Sequence, residues 1–97
     1  MSVVIIGGNN CMERRYIDLC KKYGHKAKVF TEMNTKLKRK IGVPDMLVLF
    51  MNTVSHKMVL SAVEASKNTN AIIEKCQSSS LNALEKIMES HGSAHNA

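Results

Sequence analysis

The chain has 97 residues, 44% of them hydrophobic, and sets 14 basic side chains against 8 acidic ones for a formal net charge of +6. That length holds one α/β core and excludes both a second domain and the six strands of a full dinucleotide-binding fold. No apolar run approaches the roughly 18 residues of a membrane span, the start Met1-Ser2-Val3 is read as leaving no room for a secretion signal, and three cysteines without C-x-x-C spacing fit reduced thiols, so a cytoplasmic protein without a membrane partner is expected.

The run Val3-Val4-Ile5-Ile6 is too short for a helix and too apolar for a half-exposed strand, which predicts a strand buried on both faces of a parallel sheet. It stops at Gly7-Gly8-Asn9-Asn10-Cys11, where paired glycines let backbone N–H groups approach a ligand and a helix start attracts negative charge. Met12, Tyr16, Leu19, Cys20 and Tyr23 then form the apolar stripe of an amphipathic helix, with Asn9 or Asn10 as N-cap and Gly24 as the residue just past its end. Arg14, Arg15, Lys21 and Lys22 read as its solvated face, although Arg14 or Arg15 lies within reach of an anion held at the helix start.

Lys26-Ala27-Lys28-Val29-Phe30 alternates polar and apolar residues, the mark of a half-exposed strand, and its lysines suit a sheet edge. Residues 34–42 are too polar to bury much and predict a short, loosely packed helix or a loop, ended by Gly42 and Pro44. Residues 12–40 hold ten Lys/Arg against three Asp/Glu, so the first half is the basic half.

Met46-Leu47-Val48-Leu49-Phe50-Met51 predicts a second central strand, followed by Asn52-Thr53-Val54-Ser55-His56 and a helix with Met58, Val59, Ala62 and Val63 on one face. Residues 71–76 form a shorter, partly charged strand. Ser78, Ser79 and Ser80 precede a last helix with Leu81, Leu84, Ile87 and Met88 inward. Gly92 ends it, so residues 1–92 read as one domain and 93–97 as a frayed tail; the glycine between His91 and His95 argues against a helical metal pair.

Right-handed crossovers turn this chain into a small flavodoxin-like or Rossmann-like three-layer α/β sandwich around a four-stranded parallel sheet. With the two fully apolar runs central, the strand order is 2-1-3-4. The topological switch point then falls between strands one and three, where open α/β sheets bind ligands beyond the carboxyl ends of their strands. Gly7 to Cys11, Asn52, Thr53, Ser55, His56 and Ser78 to Ser80 meet on that edge, with Arg14 and Arg15 beside it. Good capping chemistry accounts for the same residues without a ligand, and Gly-Gly alone matches neither G-x-G-x-x-G nor the Walker pattern. Cys11 is expected to be the reactive thiol, and His56 the imidazole with a lone pair to offer. No catalytic residue is assigned, because no acid that would orient a Cys-His pair is identifiable.

Val-Val-Ile-Ile-Gly-Gly at 3–8, Glu-Arg-Arg-Tyr at 13–16, Asn-Thr-Val-Ser-His at 52–56 and Ser-Ser-Ser-Leu at 78–81 together resemble a bacterial family of domains of unknown function, DUF2325. The resemblance runs from Val3 to Met88, and Val54-Ser55-His56 is its most specific element. It implies a haem cofactor held through a histidine in an oxygen- or redox-sensing role, with His56 as the axial ligand to haem iron.

Three readings follow. The first is a non-enzymatic sensor or ligand-binding domain with haem at His56, its propionates drawn to helix starts and Arg14 or Arg15. The second is a binder of a small phosphate-bearing ligand or nucleotide at the Gly7-Gly8 turn and the serine cluster. The third is a basic interaction module; nucleic acid as its partner is disfavoured by the absence of aromatics among the charges at 36–40. Seven methionines, more than a small core needs, add the expectation of a homodimer.

Overall fold

Strand and helix alternate along the chain because its apolar residues switch between unbroken runs and a spacing of three and four. The computed structural model describes residues 2–31, 37–67 and 69–92. The expected tail at 93–97, His95 and the first part of the 34–42 segment lie outside these. The order is β1 (Ser2–Ile6), a 3₁₀ turn (Asn10–Met12), α1 (Glu13–Lys22), β2 (Lys26–Phe30), α2 (Leu37–Ile41), β3 (Met46–Phe50), α3 (His56–Ser66), β4 (Ile72–Cys76) and α4 (Leu81–Gly92).

The four strands form one parallel sheet in the order β2-β1-β3-β4, as expected from the placing of the two apolar runs. β3 is buried along its whole length and β1 from Val3 onward, whereas β2 and β4 are half-exposed. Alternate residues of each strand feed opposite faces. Val3, Ile5, Met46, Val48 and Phe50 pack with Tyr16 and Cys20 of α1 and Leu84 and Met88 of α4. Val4, Ile6, Leu47 and Leu49 pack with Ile41 of α2 and Met58, Val59 and Ala62 of α3.

Asn9 caps the 3₁₀ turn and not α1 itself, which starts after Met12 without a side-chain cap; two other helix ends are closed as the sequence predicts. After α1 the chain turns at Gly24, with φ at 81°; the Gly24 N–H donates to the Lys21 carbonyl and the His25 N–H to the Cys20 carbonyl, the paired bonds of a Schellman motif. Ser55 caps α3 by accepting from the Met58 N–H at 3.2 Å. The methionine argument for a homodimer fails for the five described ones. Met46, Met58 and Met88 are buried, and Met12 and Met51 pack against the two cores. Among the described residues the exposed large apolar side chains are instead Val43, Leu60, Ile72 and Ile73. No helix among the described residues is long and apolar enough to cross a membrane.

Candidate functional site

At the carboxyl edge of the sheet the paired glycines are occupied by the protein itself. The Gly7 N–H donates to the Phe30 carbonyl at 2.9 Å, which lengthens the β1–β2 ladder, and the Gly8 N–H donates to Thr53 Oγ1 at 2.6 Å. Neither amide is left for a ligand, contrary to the expectation from the Gly-Gly pair. Gly8 is required by packing as well: at φ 88° a Cβ there would lie 2.7 Å from Tyr16 Cε2.

Tyr16 is the side chain around which these loops are tied. It is fully buried, its ring centroid stands 5.2 Å from that of Phe50, and its hydroxyl donates to the Ser79 carbonyl at 2.5 Å. The serines close their own turn. Ser80 Oγ accepts from the Ala83 N–H at the start of α4, Ser78 Oγ accepts from the Ser80 N–H and donates to Ser80 Oγ, and Cys76 Sγ donates to the Ser78 carbonyl. Capping therefore accounts for Ser78 and Ser80, on the α1/α4 side of the sheet.

The ends of β1, β2 and β3 bring together a polar cavity of about 260 Å³, walled by Gly8, Asn9, Asn10, Thr31 and Thr53. Asn9 Oδ1 accepts from the Cys11 N–H at 3.2 Å, and Asn10 Oδ1 accepts from the Thr31 hydroxyl. Each amide oxygen already accepts one bond, and the NH₂ groups of both asparagines remain as donors. Thr53 Oγ1 is fixed between the Gly8 N–H and the Phe50 carbonyl. Among the described residues no acidic side chain stands among these walls. Asn10 also borders an adjoining cavity of about 270 Å³ with Cys11, Glu13, Arg14 and Ile17.

Sequence reasoning missed Thr31, although the rule that selected the ends of β1 and β3 applies equally to the end of β2. Arg14 reaches the neighbouring cavity, while Arg15 is exposed and touches Met12 Sδ at 4.0 Å. Cys11 is exposed within the 3₁₀ turn and Asn52 is exposed in the turn after β3. His56 is the exposed first residue of α3, directly after its cap, and is not a wall of the polar cavity.

Haem requires an axial ligand at the wall of an apolar slot. A cavity of about 580 Å³ lies along β2 and, among the described residues, has no His, Cys, Met or Tyr in its walls. Among the described residues no group of three or more His, Cys, Asp and Glu is placed to hold a metal ion. The described residues of a single chain therefore do not fit a porphyrin at His56.

The fold and the edge cavity define a small flavodoxin-like α/β domain with a polar pocket at its switch point. The chain belongs to the family described as uncharacterized protein conserved in bacteria (DUF2325), which matches residues 2–91. No curated protein and no solved structure matches it.

Proposed function

We propose that this domain is a non-enzymatic binder of a small phosphate-bearing anion at the switch-point cavity. The observation that carries the reading is the donor character of that cavity: two asparagine amides whose oxygens each already accept a bond and whose NH₂ groups remain as donors, and no carboxylate among the described walls. The start of the 3₁₀ turn and α1 adds a positive field at Asn10, and Arg14 stands in the adjoining cavity. A volume of about 260 Å³ suits a phosphate with a small organic group. The three free cysteines support a reducing compartment such as the cytoplasm.

The test is thermal unfolding with inorganic phosphate and then a nucleoside monophosphate added in millimolar steps. A ligand of the folded state raises the melting temperature in proportion to the logarithm of its concentration. Asn10→Asp keeps an oxygen to accept from Thr31 but exchanges the donor for negative charge, and should remove the shift while leaving the far-UV circular dichroism unchanged. Absence of a shift in the wild type, or an equal shift in Asn10→Asp, overturns the reading. So does a hemin Soret band that disappears in His56→Ala, which would restore haem as the ligand.

A further inference from the structure

The open edge of β2 carries a cavity of about 580 Å³, and its walls come from both sides of the sheet. They comprise Glu13 and Ile17 of α1, Arg39 and Lys40 of α2, and the whole run 27–30 of β2. Helices α1 and α2 pack on opposite faces, and consecutive strand residues point to opposite faces. A cavity that touches all of them must run over the strand's edge.

Among the described residues the backbone at that edge has no sheet partner. The Phe30 carbonyl accepts from the Gly7 N–H, and Phe30 and Lys28 stand in register with Ile6 and Val4 of β1. In a parallel ladder alternate residues bond to one neighbour, so Lys26, Lys28 and Phe30 face β1, and the N–H and C=O groups of Ala27 and Val29 face outward. Among the described residues β2 pairs with no other strand. The two sides of the edge differ in chemistry. On the α1 side stand Ala27, Val29 and Ile17 together with Glu13; on the α2 side stand the cations Lys28, Arg39 and Lys40 together with Phe30, with the Lys28 ammonium held 3.5 Å from the Lys40 carbonyl.

We propose that the β2 edge is a docking site for an extended peptide segment of a partner protein that alternates acidic and apolar residues and adds to the sheet as a fifth strand. Main-chain bonds to Ala27 and Val29 supply the attachment, and the period of two places carboxylates against Lys28, Arg39 and Lys40 and apolar side chains against Ile17 and Val29. A second copy of this chain is a poor occupant, because it is itself at +6 and would bring Lys26 and Lys28 against their own likeness. Single-stranded nucleic acid would meet the same cations but has no use for the open amides and carbonyls.

Fluorescence anisotropy at physiological ionic strength tests this with a labelled eight-residue peptide alternating valine and glutamate. Saturable binding is expected. Methylating one alternate set of its backbone amides should weaken binding by about tenfold or more, and methylating the other set should leave it unchanged, because only one set can face β2. Arg39→Glu combined with Lys40→Glu should weaken the parent peptide to a similar degree with the circular dichroism preserved, and a valine–lysine peptide should not bind. The proposal is overturned if the parent peptide does not bind, if both methylated peptides bind like the parent, or if oligothymidylate binds and the peptide does not. Retention of phosphate binding in the doubly substituted protein separates this edge from the switch-point cavity.

Discussion

Substituting Gly8 and Gly24 in parallel separates two costs that are usually merged. Both have positive φ, 88° and 81°, so alanine at either position suffers left-handed strain of about 1–2 kcal/mol. At Gly24 nothing lies within 4 Å of the added Cβ, and strain is the whole cost. At Gly8 the Cβ meets Tyr16 Cε2 at 2.7 Å, and the ring has nowhere to retreat, held by Phe50 on one side and by its hydroxyl bond to Ser79 at the far end. Overpacking of this kind adds about 1–3 kcal/mol. Gly8→Ala should therefore cost about 2–5 kcal/mol, against a total stability of about 5–15 kcal/mol for a domain. Urea unfolding followed by circular dichroism gives both values, with unchanged m required for the comparison. If Gly8→Ala costs no more than Gly24→Ala, the Tyr16 ring yields to the methyl group and does not tie the loops as described.

Tyr16→Phe removes the donor to the Ser79 carbonyl and should cost about 1–3 kcal/mol, seen as a fall of several degrees in melting temperature; an unchanged midpoint refutes the tie. Burial pushes the Cys20 thiol from an ordinary 9.0 up to about 11, so at neutral pH it holds about a hundredfold less thiolate than an ordinary thiol, and iodoacetamide should label Cys11 well before it. The same shift makes stability depend on pH. Between pH 9.0 and about 11 the unfolded chain has released a proton that the native chain keeps, so this contribution is complete below pH 9.0 and falls by up to about 3 kcal/mol across the window. Cys20→Ala should flatten that part of the urea-midpoint profile, and an equally steep profile in the variant assigns it to other groups. Hydrogen exchange should be slowest in β1 and β3, and faster exchange there than in β2 contradicts their central placement.

The fold was legible because its signals are local. Residues 3–6 and 46–51 are apolar without interruption, residues 26–30 alternate, and that difference alone separates central strands from an edge. The site was legible only to the level of which loops meet. That Gly8 bonds to Thr53, 45 positions away, and Tyr16 to Ser79, 63 away, depends on the exact approach of elements that a pattern of apolar residues does not encode. Periodicity places Tyr16 inside but says nothing of its hydroxyl. It gives His56 a first-turn position, yet whether such a residue lines a pocket depends on the neighbouring loop. The lysines of β2 were recognisable as edge residues, whereas the groove beside them needs α1 and α2 on opposite faces before it exists.

Parallel pairing of β1 between β2 and β3 also sets an order of assembly. On one side β1 finds its neighbour within a short stretch, since Val3 aligns with Ala27; on the other it aligns with Met46 and Leu47 of a strand made much later. While the chain is being synthesised, Val3 to Ile6 therefore wait with one flank and much of both faces uncovered until Phe50 has left the ribosome. Non-local closure of this kind is slow, and an apolar strand with an open flank is a template for unwanted pairing. For this protein the hazardous interval is the passage of residues 31–50, and its yield in cells should depend more on chaperone capacity and elongation speed there than on the stability of the finished domain.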